Sequence, residues 1–178
     1  MKLDHFINRS ATLLEQISEW SGKIVAWLTL LLVIVTLDVV VLRYLFNIGW
    51  IALQESITFL HAMIFLLGAA YTLKHDEHVR VDIFYRDMSA RKKAWVNLFG
   101  TLLLLFPVCL FIAFVSWEYV ANSWALLESS QEAGGLPGVY LLKSFILVMT
   151  AMLILQGIAL ILRAIQTLQT SKGASAHE

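Results

Sequence analysis

The chain has 178 residues, 59% of them hydrophobic, and its 13 basic and 13 acidic residues leave no formal net charge. That composition leaves no room for a soluble domain beside one membrane-embedded helical bundle, and a neutral chain with an acidic connecting loop does not fit nucleic acid. The single cysteine, Cys109, excludes an intrachain disulfide and a cysteine metal cluster.

The first twenty residues lack the short apolar core and small-residue cleavage site of a secretory signal and read as part of the mature chain. Leu3, Phe6, Ile7, Leu13, Leu14, Ile17 and Trp20 recur at three- and four-residue spacing opposite Asp4, Arg9, Gln16 and Glu19. This pattern predicts an amphipathic helix over 1–22 on the cytoplasmic surface, with a helical extension of the first span as the alternative. Four apolar stretches follow, at about 24–46, 51–73, 94–120 and 140–162. Each is near the ~20 residues that cross a ~30 Å hydrocarbon layer as helix. The expected fold is an all-α integral membrane protein with four transmembrane helices and a flexible polar tail over 164–178.

Charge orients the bundle, because basic residues are retained on the cytoplasmic side of short loops. Lys2, Arg9 and Lys23 precede the first span; Lys74, Arg80, Arg86, Arg91, Lys92 and Lys93 follow the second; Arg163 and Lys172 follow the fourth. Both termini are therefore expected in the cytoplasm. Arg43 and Lys143 lie just inside the ends of spans one and four, where long side chains snorkel to the opposite surface. The second outer loop has no Lys or Arg and carries Glu128 and Glu132. Trp27, Tyr71 and Trp95 fall at inner span ends, and Tyr44, Trp50, Trp117, Tyr119, Trp124 and Tyr140 at outer ends, as interfacial anchoring places them. Arg91, Lys92 and Lys93 oppose the helix dipole by about 0.3–1 kcal/mol each, which attraction to anionic lipid of about 1 kcal/mol per residue offsets. Ser89 is a cap candidate for that helix and Asp82 for a short helix before it.

Polar residues inside the spans mark faces that pack on protein. Thr29, Thr36 and Arg43 repeat every seven residues; Gln54, Thr58, His61, Gly68 and Thr72 follow a three-four spacing. Asp38 costs about 2.5–3.5 kcal/mol if placed at a span centre, and so requires compensation. Two readings are open: a proton or cation relay, or a carboxylate paired with a basic or hydroxyl group on a neighbour. Glu55 and Arg43 are placed to pair across the first outer turn. His61 is the one histidine at membrane depth, so a haem anchor would need a second axial ligand from another copy or from methionine. The run His75-Asp76-Glu77-His78 has metal-binding donors but reads as a solvated turn. Pro107 frees the Leu103 carbonyl and predicts a bend in span three. No nucleophile–base set, phosphate loop or nucleotide motif is present, so neither an enzyme nor a cofactor is expected.

The strings RYLFNIGWIALQE (Arg43 to Glu55), LLGAAYTLKHDEHVRVDIFY (Leu66 to Tyr85) and GGLP (Gly134 to Pro137), ahead of Tyr140 and Lys143, carry a resemblance over nearly all of the spanning region. The chain resembles the small, Q-type (DctQ-like) membrane subunit of tripartite ATP-independent periplasmic (TRAP) transporters. One departure is that Trp50 is followed by Ile-Ala-Leu-Gln-Glu, where many relatives carry Trp-x-Glu-Glu. The resemblance implies a bacterial inner-membrane subunit without its own substrate site. It would brace a large M-type subunit that carries the sodium and substrate sites, and help dock a periplasmic binding protein delivering an organic acid or related solute. Family positions fall on Arg43, Trp50 and Glu55 in the first hairpin, on Gly134, Gly135, Pro137 and Lys143 at the second outer loop, and on His78, Arg80 and Asp82 in the cytoplasmic turn. Local folding is the competing role for each of these. Two other classes stay open: a homo-oligomeric channel built on Asp38, and the haem anchor.

Overall fold

The computed structural model describes residues 2–78 and 85–174, with side chains over 7–78 and 85–170. Its elements are α1 (Lys2–Leu45), α2 (Ile51–Lys74), α3 (Ala90–Gly100), a π-helical turn (Thr101–Leu105), α4 (Phe106–Ala125) and α5 (Val139–Ala174). Four helical stretches are long and apolar enough to cross a membrane: Ile7–Leu45, Ile51–Lys74, Ala90–Ala125 and Val139–Thr170. The start of α1, the end of α2, the start of α3 and the end of α5 share one end of the bundle, the terminal end. The 46–50 turn and the 126–138 connection share the other, the loop end.

Two helices outrun the apolar stretches that define them. α1 has 44 residues and spans roughly 66 Å at 1.5 Å per residue, about twice a hydrocarbon layer. Residues 2–22 are thus continuous with the first span in one helix. Likewise, residues from 164 onward, expected as a flexible tail, are helical as far as Ala174. Both extensions persist because they bind each other. Arg163 donates from Nε and Nη2 to the two carboxylate oxygens of Glu15, 2.8 Å each, and from Nη1 to Asn8 Oδ1 at 2.6 Å. One turn nearer the spans, the buried Ser18 hydroxyl donates to the buried Gln156 Oε1 at 2.7 Å. The face that packs within the chain carries Ala11, Ser18 and Ser21, all buried, whereas Leu13, Ile17 and Trp20 are exposed, as are Arg9 and Gln16 of the polar face.

α5 is the hub, touching α1, α2, α3 and α4; α1 and α2 also pack on each other, whereas α4 packs on α5. The contacts are made by small groups. Ala11, Ala70, Ala94, Cys109, Ala159 and Ala164 are buried beside Ser18, Ser21, Thr101, Ser123 and Thr150. Small residues let backbones approach in a medium where apolar surface alone gives no driving force. Two glycines permit such approach: a Cβ at Gly22 would run into the Tyr71 ring, and one at Gly157 would stand 2.6 Å from the Phe106 ring and 3.1 Å from Thr101 Cγ2. Larger apolar side chains, such as Trp27, Leu103 and Phe114, point outward at 73%, 66% and 83% exposure.

Pro107 acts one turn early. The bend expected from it takes the form of the π-helical turn just before it, where the Phe106 N–H donates to the carbonyl of Thr101. A wider turn of this kind accommodates a ring that an α-helical turn would clash with. The buried positions along this span are Ala94 before the turn, Thr101 at its start, and Cys109, Val120 and Ser123 after it. Ser89 occupies the N-cap of α3 in extended conformation, but its hydroxyl makes no capping hydrogen bond.

Candidate functional site

The family positions of the two outer segments meet at the loop end. Glu55 sits in the first turns of α2 and reaches across to the 126–138 connection. Its Oε1 accepts from the Ser130 hydroxyl and its Oε2 accepts from the Leu136 N–H at 2.6 Å. One carboxylate therefore ties both arms of the loop. The loop closes on itself through Ser130 N–H to the Leu136 carbonyl, 3.1 Å, and Gly135 N–H to the Glu132 carbonyl, 3.0 Å. Gly134 adopts φ 83°, open to glycine at little cost. Gly135 is needed for proximity instead, since a Cβ would stand 2.7 Å from Glu55 Oε2. Pro137 ends the loop in an isolated bridge with Ser129.

A second clamp holds the start of the loop. Lys143, in the first turns of α5, donates to Glu128 and lies 4.0 Å from the Tyr119 ring centroid. Glu128 also accepts from the Ser123 hydroxyl at 2.6 Å. The Lys143 ammonium, and after it the Ser123 hydroxyl, hold the Glu128 carboxyl below its ordinary range. Trp124 Nε1 donates to Ser144 Oγ at 2.7 Å, with its ring edge-on to Tyr140 at 4.7 Å. The tip from Gln131 to Gly134 is exposed, and the Glu132 carboxylate makes no hydrogen bond or ion pair with a described residue.

Arg43 does not pair with Glu55. Both oxygens of that carboxylate are taken by Ser130 and Leu136, and Arg43 lies exposed on α1. Trp50 caps α2 in extended conformation and is exposed. Asp38 and His61 lie on the outside of the bundle, on α1 and α2. At the terminal end, His78 Nε2 stands 3.3 Å from the Ala69 carbonyl oxygen; Arg80 and Asp82 fall outside the described residues. Lys74 donates to Glu19 Oε1, which also lies 2.8 Å from His75 Nε2. Among the described residues, no three His, Cys, Asp or Glu side chains gather as a metal site would require.

Sequence reasoning missed Ser130 and Ser123, the hydroxyls that complete the two clamps, and the Glu15–Arg163 pair. It also passed over Glu118, exposed on α4. A serine beside a glycine-rich turn was the available signal for Ser130. Spacing along one helix cannot name the partner on another.

Residues 13–167 match a family model described as Tripartite ATP-independent periplasmic transporters, DctQ component. Comparisons with curated proteins and with solved structures gave no match. The four apolar helices agree with a multi-pass membrane protein, and the family is a transporter component rather than an enzyme. With most of its length covered by that model, the chain belongs to the DctQ family and is the small subunit of a TRAP transporter.

Proposed function

We propose that this subunit braces a large M-type transport subunit as a stationary scaffold and helps receive a periplasmic substrate-binding protein. The system would use a sodium gradient to take up an organic acid or related solute across the bacterial inner membrane. The loop end then faces the periplasm and both termini face the cytoplasm, in line with the distribution of Lys and Arg along the chain. The observation that carries the docking role is the 126–138 loop. Two carboxylates anchor it to α2 and α5, while its tip presents Glu132 outward. A preorganised loop with an outward charge suits steering and reception of a soluble partner. The scaffold role is supported by a core of small residues under large exposed apolar side chains, a surface that another membrane chain can cover.

Purification of a tagged copy from its native membrane tests this reading. Recovery of one much larger polytopic protein in stoichiometric amount is expected. Recovery of the chain alone, as a defined oligomer, would overturn it.

A further inference from the structure

Asp38 is a carboxylate without a partner at membrane depth. It lies seven residues before the end of α1, roughly 10 Å below the loop end at 1.5 Å per residue. Val25, Leu28, Leu32, Val35, Val39 and Leu42 form the partly covered ridge of α1. Helical spacing puts Thr36 and Arg43 on one flank of that ridge, and Leu31 and Asp38 on the other. The neighbours of Asp38 on the helix surface, Ile34 and Leu37, are apolar and exposed. Thr36, on the opposite flank, donates back to the Leu32 carbonyl at 2.7 Å. No hydrogen bond or ion pair reaches Asp38 from any described residue, and its side chain is exposed. Arg43 is long and close to the helix end, so it can snorkel; aspartate has no stem with which to do so.

Hydrocarbon offers Asp38 no donor, so a carboxylate on this flank is stable only against a group that brings one. We infer that Asp38 is one half of an intersubunit ion pair. Its α1 flank packs on a spanning helix of another transporter component, which carries a Lys or Arg at the same depth. This rests on the reading of the chain as a scaffold subunit. Charge complementarity selects that occupant over a second copy of this chain. In the loop-end half of the spans the basic residues of a copy are Lys143, held by Glu128, and Arg43, about 7 Å nearer the end of α1.

The test uses the full transporter in membranes, with the tag on this chain. A photo-crosslinking residue at Leu31, on the same flank, is expected to form an adduct with the large membrane subunit. Asp38→Lys should cut recovery of that subunit at least roughly tenfold while this chain inserts at its normal level. Asp38→Asn, which keeps a hydrogen-bonding side chain of the same shape, should fall between. A basic-to-acidic change in the partner at this depth should restore recovery with Asp38→Lys. If the wild type holds its partner while Asp38→Leu and Asp38→Asn hold it equally well, the inference is wrong and the scaffold reading stands. An adduct with lipid only, or with a second copy only, also overturns it. A wild type that retains no larger subunit sinks the scaffold reading itself.

Discussion

Arg163 holds both carboxylate oxygens of Glu15 at 2.8 Å, joining α5 to α1 across 148 residues of sequence. The pair is partly exposed, at 40% for the arginine side chain and 21% for the glutamate. Screening therefore reduces its strength, while the two-point geometry and the added bond to Asn8 raise it above that of an ordinary surface pair. Arg163→Gln is expected to destabilise the subunit by about 1–2 kcal/mol. Thermal unfolding in mild detergent checks this. A double-mutant cycle with Glu15→Gln should recover most of the loss as coupling, and additive effects would contradict the pairing.

Gly135→Ala should release the second outer loop from α2. The added methyl would crowd the Ser130 side chain and stand 2.7 Å from Glu55 Oε2, which accepts from Leu136, and the cost is expected at about 1–3 kcal/mol. Hydrogen exchange at the Leu136 amide is the direct readout. Unchanged protection would mean that the loop is held without Glu55.

The Glu128–Lys143 clamp predicts a signed pH dependence. A carboxyl held below its ordinary range in the folded loop contributes stability above the unfolded value of about 4.3, and that contribution is lost as pH falls through the folded value. Loop protection should thus be flat from neutral pH down to the ordinary carboxylate range and decline below it. Glu128→Gln should remove that part of the decline while lowering protection at neutral pH.

Glu132→Lys separates docking from assembly. Since the side chain is exposed and makes no hydrogen bond or ion pair with a described residue, assembly and thermal stability should be unchanged. Association with the periplasmic binding protein should slow several-fold at low salt and converge with wild type at high salt. Equal association rates at every salt concentration would remove the steering role.

The positions of the four spans and the acidic loop were legible because hydropathy and charge are local properties, whereas Glu55, Gly135 and Lys143 were singled out through the family resemblance. Partner choice was not. Arg43 and Glu55 stand near one short turn, yet Glu55 binds Ser130 and Leu136, since a carboxylate accepts best from donors that converge on both its oxygens. Residues 164–174 fell in a tail expected to be flexible; they continue the helix, which Arg163 and Gln156 tie to α1 through Glu15 and Ser18. In both cases the deciding group lay far away in sequence.

The π-helical turn makes the third span a splice of two helices in different phase. Ala94 and Thr101 stand one heptad apart, and Cys109 and Ser123 two heptads apart, but Thr101 and Cys109 are separated by one residue more than a heptad. The turn absorbs that extra residue, so a single face meets α5 along the whole length. A deletion of one residue within Thr101–Leu105 would therefore rotate everything beyond it by about 100°. Cys109 and Ser123 would swing away from α5, and Tyr119 away from Lys143. Pro107 and the surplus residue are thus a matched pair, and the loop clamp 20 Å or so further along depends on both.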